Sequence, residues 1–150
     1  MNTDRTLVLE FLAGARQPTP ITSNPLAREL GGEIIELDGE RGAAVLAFSP
    51  DERAAQGAGV LQGGVLATLL DFAMAFAAHA CLARTERAFA TATLTVNLQR
   101  PAPPGRYLAR GRVTRQGRKL LFADAELVAA ADDTLVATAS ALLALAERAS

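Results

Sequence analysis

Hydrophobic positions change their period along the chain, from a helical repeat in the middle to a two-fold repeat after it. The run 65–83 is apolar on every side, which predicts a long helix that opens at Gly63-Gly64 and ends at about Leu82. Residues 89–98 then alternate between polar and apolar positions, as in a strand. One face of this strand carries Thr91, Thr93, Thr95 and Asn97, and the other carries Ala92, Leu94, Val96 and Leu98.

Shorter elements are predicted on both sides of this change. Residues 3–15 have the spacing of an amphipathic helix, and Asn24-Pro25 supply the cap and first-turn proline of a brief helix that ends at Gly31-Gly32. Extended segments bounded by turn residues predict further strands at 33–38, 43–48, 106–116, 119–131 and 134–145. Three consecutive hairpin links among the last four strands predict an antiparallel sheet.

A helix that is apolar on every side has to be enclosed rather than laid on a surface. The economical arrangement is an α+β fold, in which a curved antiparallel sheet wraps around the one long central helix. A chain of 150 residues fits one domain. We therefore expect a single domain over 1–150, with an N-terminal helix and connector at 1–23 and the core at about 24–146.

Composition narrows the class of protein. Half of the residues are hydrophobic, the net charge is −1, and there is one Cys. These values exclude a disordered chain and a disulfide scaffold. The single cysteine and the lack of a basic start before an apolar N-terminal run predict a cytoplasmic protein. Because Asp71 interrupts the apolar run 65–83, a buried helix in a soluble domain is favoured over a membrane span.

Asp71 is the most informative residue of the predicted helix. Its neighbours at three and four residues are mostly small (Ala67, Thr68, Met74 and Ala75), so its face has room for another group to approach. A buried, unpaired carboxylate is costly, which makes Asp71 a candidate catalytic group. The alternative is an aspartate that reaches water or pairs with an arginine of the sheet.

Gly63-Gly64 at the predicted helix start has two interpretations. The pair is either a flexible loop exit or a set of unhindered N–H groups that polarise a carbonyl or hold an oxyanion. Its position two turns before Asp71 suggests the second half of an acyl-transfer site.

Other motifs have less specific interpretations. Gly57, Gly59 and Gly63 resemble a dinucleotide-binding loop, but a polar loop precedes them and antiparallel strands follow, so that interpretation is rejected. His79, the only histidine, is expected to be a packed core or interface residue, and Cys81 a small buried hydrophobic one. No residues have metal-ligand spacing, so no metal is predicted.

Positive charge is concentrated between Ala88 and Ala123. This segment has no acidic residue and holds seven of the fifteen cations: Arg100, Arg106, Arg110, Arg112, Arg115, Arg118 and Lys119. It is either a solvated basic face of the sheet or a surface that binds an anionic ligand. Nucleic acid is not expected, because the chain as a whole is slightly acidic, with a net charge of −1.

The run GVLQGGVLATLLD at 59–71 and the Ala-rich helix after it resemble the signature of hotdog-fold acyl-CoA thioesterases of the phenylacetate-degradation type. The segments LTVNLQRP at 94–101, QGR at 116–118 and LVATA at 135–139 are also similar, and the resemblance covers 24–145. It implies hydrolysis of an acyl-CoA or aryl-CoA thioester to the free acid and CoA. Coenzyme A is then part of the substrate, and no separate cofactor is implied. The resemblance also implies a homodimer, doubled to a tetramer, with each active site between two subunits.

The resemblance implies roles for individual residues. Asp71 would act as nucleophile or general base, Gly63 would donate its N–H to the thioester carbonyl, and the amide of Gln56 would orient the reacting groups. Gln62 stands where the family commonly has a histidine, and it can form hydrogen bonds but cannot titrate. Residues expected to contact the substrate are Gln62, Gly64, Thr68, Asn97, Arg100, Arg115 and Arg118.

A polar side chain from beyond the helix often completes the site in that family, but this chain has Phe89 and Ala90 near the expected place. This gap, together with Gln62, supports a second hypothesis, a non-catalytic acyl-CoA or fatty-acyl binding protein. A hydratase on the same fold is weaker, because His79 lies on a different helix face from Asp71.

Overall fold

A computed structural model describes residues 2–147 as one antiparallel sheet around a central helix. The helices are α1 (Thr3–Ala13), α2 (Pro25–Glu29) and α3 (Gly63–Cys81), with a 3-10 turn at Glu52–Ala54. The strands are β1 (Thr19–Pro20), β2 (Glu33–Asp38), β3 (Ala43–Phe48), β4 (Phe89–Leu98), β5 (Tyr107–Gln116), β6 (Leu120–Ala129) and β7 (Leu135–Leu145). Their order in the sheet is β1-β2-β3-β5-β6-β7-β4.

Most of the predicted elements are confirmed, but one predicted strand link is wrong. Strands β5, β6 and β7 form consecutive antiparallel pairs, as expected. Strand β4 does not pair with β5. It pairs with β7 at the edge of the sheet, while β5 lies beside β3. The proline-rich segment 101–105 is therefore a crossover and not a hairpin, because its ends lie on different parts of the sheet.

Helix α3 is the centre of the core, as predicted. It is long and apolar enough to cross a membrane by length and composition. Here strands β3, β5 and β6 pack along it, and most of its large side chains are buried. The contact with β5 is close: a Cβ atom added to Gly111 would lie 2.3 Å from the carbonyl oxygen of Ala73. Only glycine permits this approach of strand to helix.

One stripe of α3 is not covered by the sheet. Gly64 is exposed, and Ala67, Thr68, Asp71 and Ala75 are half-buried. These residues recur at helical spacing and share one side of α3. The enclosure of the helix is therefore incomplete, and the gap coincides with the face predicted to carry the carboxylate.

Helix α1 closes the C-terminal end of α3. Val8 and Phe11 are its buried positions, and the Arg5 guanidinium donates hydrogen bonds to the carbonyls of Leu82, at 3.2 Å, and of Thr85. The last carbonyls of a helix have no partner within the helix, so a cation at this end stabilises it.

Candidate active site

The start of α3 presents free backbone donors. Gln62 is the N-cap residue, has extended backbone angles and makes no side-chain cap bond. Its carbonyl accepts from the N–H groups of Val65, at 2.9 Å, and Leu66, at 3.3 Å. Within residues 2–147, the N–H groups of Gly63 and Gly64 have no acceptor. Two N–H groups at the positive end of a 19-residue helix are suited to bind an oxyanion or a polarised carbonyl.

A groove of about 520 Å³ opens beside this helix start. Its lining residues come from the preceding loop, the helix start and the end of β4: Gln56, Val60, Leu61, Gln62, Gly63, Leu66, Leu98, Gln99, Arg100, Pro101 and Ala102. The amide oxygen of Gln56 accepts from the N–H of Ala58 at 2.5 Å, which fixes the side chain against its own loop. The structure thus brings the predicted residues Gln56, Gln62, Gly63 and Arg100 into one groove.

Asp71 lies further along α3, in the uncovered stripe. The side chain is half-buried, which agrees with the predicted alternative of an aspartate that reaches water rather than with an enclosed, unpaired carboxylate. The arginine partner that this alternative also allowed is absent from the described part of the chain. Instead, the hydroxyl of Thr91 donates a 3.0 Å hydrogen bond to Oδ1 of Asp71. Thr68, one turn before Asp71, donates to the carbonyl of Gly64 at 2.9 Å.

Thr91 is a polar side chain from beyond the helix that the sequence analysis did not single out. Strict alternation places it with Thr93 on one face of β4. In the structure, Thr91 is opposite Leu143 and Thr93 is opposite Leu142, so the extra residue Ala92 forms a β-bulge between them. The bulge reverses the facing of all residues before it and turns Thr91 inwards, towards α3. A bulge leaves no clear signature in a run of alternating Thr and Ala.

The glycine donors and the carboxylate are far apart within one subunit. Gly63 and Asp71 are separated by eight residues, which is about 12 Å along a helix axis. A nucleophile must come within about 3–3.5 Å of the carbon whose oxygen the N–H groups bind. Asp71 is also not among the residues of the groove. One thioester group therefore cannot accept a hydrogen bond from the Gly63 N–H and react at Asp71 of the same chain.

Besides Gly64 and Thr68, which lie on the uncovered stripe of α3, three other predicted substrate contacts lie outside the groove. Asn97 is on the outer face of the sheet, opposite Thr138, so its side chain points away from Asp71. Arg115 stacks over the ring of Phe122 with its guanidinium carbon 5.5 Å from the ring centre, and Arg118 lies in the turn between β5 and β6. The structure does not bring these three residues to Gly63 or Asp71.

Acids from outside the basic segment neutralise part of it. Arg106 pairs with Glu33 at 2.9 Å, Arg110 with Glu126 and Asp133, and Arg112 with Asp124. In the described residues, Arg100, Arg115, Arg118 and Lys119 have no acidic partner within 4.0 Å, and these four cations remain for an anionic ligand. The solvated-face interpretation is thus correct for the middle of β5.

Two further side chains can be assigned. His79 is a packed core residue, as predicted, and burial lowers its pKa to about 4. Cys81 is not fully buried, contrary to expectation; its sulfur lies 3.6 Å from Oε1 of Gln116, and partial burial raises the thiol pKa. No group of three His, Cys, Asp or Glu side chains able to hold a metal ion occurs among residues 2–147.

Comparison with known proteins identifies similar sequences and structures. Residues 58–139 match the family model described as the thioesterase superfamily. A phenylacetic acid degradation-related protein from Ralstonia eutropha JMP134 is 29% identical, with a TM-score of 0.77 over 91% of this chain and 98% of its own. A thioesterase family protein from Silicibacter pomeroyi is 28% identical, with a TM-score of 0.75 over 94% and 97%.

The E. coli PaaI protein from the phenylacetic acid degradation operon is 27% identical, with a TM-score of 0.70 over 79% of this chain and 86% of its own. No protein with curated annotation matches the sequence. The structural matches confirm the hotdog fold that the sequence predicts.

Proposed function

Because the chain belongs to the thioesterase superfamily, we propose that it hydrolyses an acyl-CoA or aryl-CoA thioester to the free acid and CoA. The observation that carries this proposal is the pair Asp71 and Thr91, a carboxylate held by a hydroxyl in the one uncovered stripe of the central helix. Thr91 also fills the position that the sequence left without a polar group.

The carboxylate has two possible parts in the reaction. As a general base, Asp71 takes a proton from water while the water oxygen attacks the thioester carbon. As a nucleophile, it forms a mixed anhydride that water then hydrolyses. In both, the C–S bond breaks and the CoA thiolate leaves and takes up a proton. Thr91 occupies Oδ1 in either case, which leaves Oδ2 for water or the substrate.

The oxyanion donors come from a second copy of the chain in our proposal. The axial separation of Gly63 and Asp71, about 12 Å, excludes a shared thioester group within one subunit. Strand β4 is an edge strand whose residues are largely exposed, including Leu94, and a long free edge is suited to pairing with another chain. A homodimer through β4 would bring Asp71 of one subunit towards Gly63 of the other.

The groove at the helix start would take the CoA end of the substrate. Gln56 and Gln62 offer amide groups at the groove, and Arg100 offers an unpaired cation there. Arginine is well suited to bind phosphate. Arg115 and Arg118 are also free of acidic partners among the described residues, although they lie outside the groove.

Thiol release from a panel of acyl-CoA and aryl-CoA thioesters tests the activity. We expect turnover by the wild-type chain and a loss of about 10³-fold in Asp71→Asn. Asp124→Asn, on the outer face of the sheet, is the matched control and keeps wild-type activity. Equal rates in wild type and Asp71→Asn would refute the role of Asp71, and no turnover of any thioester by the wild type would refute the activity.

Subunit mixing tests the shared site. Gly63→Pro removes the N–H donor, and Gln62 already has the backbone angles (φ −58°, ψ 136°) that precede proline. The new Cβ atom would lie 2.8 Å from Cδ1 of Leu98, so this side chain has to rotate away. Gly63→Pro and Asp71→Asn subunits are each inactive. When the two variants are refolded together in equal amounts, half of the dimers are mixed. Each mixed dimer has one intact site out of two, so about a quarter of the wild-type activity should return. A mixture without activity would place both groups in one subunit.

Gln62 favours a second candidate, a protein that binds acyl-CoA without hydrolysing it, because an amide cannot transfer a proton. Calorimetry with hexanoyl-CoA separates the two. Binding in the micromolar range with no thiol released over hours would support the binding protein, and turnover would exclude it.

A further inference from the structure

Leu98 lies over the first glycine of α3. A Cβ atom added to Gly63 would be 2.8 Å from Cδ1 of Leu98, whereas one added to Gly64 would meet nothing within 4 Å. The isobutyl group of Leu98 is therefore in contact with Gly63 on the side where a side chain would project. Even so, 53% of Leu98 is exposed, and it forms part of the groove wall.

The backbone holds Leu98 in this place. It is the last residue of β4, opposite the buried Ala137, and thus faces inwards. The next two N–H groups, of Gln99 and Arg100, both donate to the carbonyl of Val136, at 2.9 and 3.2 Å. The strand end is thus fixed to β7, and only the rotamer of Leu98 is free to adjust.

A thioester carbonyl that accepts a hydrogen bond from Gly63 has to lie next to the side chain of Leu98. An oxygen that accepts from the Gly63 N–H lies about 2.7–3.1 Å from the nitrogen, and its carbon lies only slightly further away. That carbon carries two groups: the sulfur, which leads into the groove with CoA, and the acyl carbon, which then lies against the methyl groups of Leu98. Leu61 and Leu66, on the same groove, add further apolar wall near Leu98.

We propose that Leu98 is a specificity-determining residue, which selects thioesters by the bulk of the carbon next to the carbonyl. This inference rests on the proposed thioesterase function. A CH₂ group at that carbon, as in hexanoyl-CoA, fits beside Leu98. A ring attached directly to the carbonyl, as in benzoyl-CoA, is crowded by it.

The test is the ratio of kcat/KM for benzoyl-CoA to kcat/KM for hexanoyl-CoA. In Leu98→Ala we expect this ratio to rise about 10-fold, since a few carbon atoms in an apolar pocket discriminate by about 10–200-fold. In Leu98→Phe it falls. Leu26→Ala is the matched control, because Leu26 is also about half exposed (51%) but lies on α2 and does not line the groove.

An unchanged ratio in both Leu98 variants, or the same change in Leu26→Ala, would overturn the inference. So would an equal change in KM for both substrates. If the wild type hydrolyses neither thioester, the proposed function fails separately. In that case the role of Leu98 is tested by binding. The ligands are analogues of benzoyl-CoA and hexanoyl-CoA in which CH₂ replaces the thioester sulfur. We expect Leu98→Ala to raise the affinity for the benzoyl analogue about 10-fold relative to the hexanoyl analogue.

Discussion

His79 makes the stability of the fold depend on pH. Its ring is 8% exposed, and its centre lies 4.6 Å from that of Phe89 and 6.4 Å from that of Phe76. Burial lowers the pKa of His79 to about 4; nearby Asp4 raises it and Arg5 lowers it by smaller amounts. In the unfolded chain the pKa is about 6.5. The folded state therefore favours the neutral ring, and acid favours the unfolded state.

The sign and size of the effect follow from this difference. Because the folded pKa is the lower one, the contribution of His79 is complete above about pH 6.5 and is lost as the pH falls towards 4. The whole difference corresponds to about 3 kcal/mol in the free energy of unfolding, and about 2 kcal/mol of it is lost between pH 7.5 and pH 5.

Urea unfolding at pH 7.5 and at pH 5, with protein concentration held constant, measures this loss. His79→Leu is the reference, because it cannot titrate and remains apolar. Asp51 and Asp132 also have lowered pKa values, from hydrogen bonds with Arg53 and Thr134, but they act below about pH 4. If wild type and His79→Leu lose equal stability between the two pH values, the assignment to His79 is wrong.

Three further predictions concern packing, capping and the site. Gly111→Ala should lower the free energy of unfolding in urea by more than about 3 kcal/mol, because the new Cβ atom would overlap the backbone of α3. Gly57→Ala is the control, and it should change this free energy by less than about 0.5 kcal/mol because a Cβ atom there meets open space. Arg5→Met should cost about 2 kcal/mol by removing charged donors from the end of α3, and an unchanged melting temperature would contradict that role. Thr91→Val should lower kcat/KM by about 10–100-fold, and Thr91→Ser should retain the wild-type value, with unchanged melting temperatures in both. Equal losses of kcat/KM in the two variants would show that the hydrogen bond from the hydroxyl to Asp71 does not contribute to the reaction.

Local signals account for the parts of the fold that were predicted well. The bounds of β2 and β3 agree with the turn residues between them, and those of β4 with its alternation. Asn24 caps α2 by accepting hydrogen bonds from two N–H groups. The start of α3 agrees with the Gly63-Gly64 pair. Each of these features depends on residues a few positions apart, so the chain itself carries the information.

Features that depend on distant residues were not predictable in this way. Nothing near 101–105 indicates that β5 pairs with β3 rather than β4, because that choice depends on the closure of the whole sheet. The acids that neutralise Arg106 and Arg110 are up to 73 residues away along the chain. The bulge before Thr93 depends on how β4 bends against β7.

The small residues of the core also explain why the carboxylate is accessible. Residues two positions apart on a helix point about 200° away from each other, so Ala73 and Asp71 lie on nearly opposite sides of α3. Gly111 lets β5 approach the helix closely on the side of Ala73. The sheet is thus drawn to one side of α3 and leaves the other side uncovered. The edge strand β4 extends to that side, and its bulge directs Thr91 to Asp71. Close packing on one side of the helix and an open site on the other are therefore two results of the same arrangement.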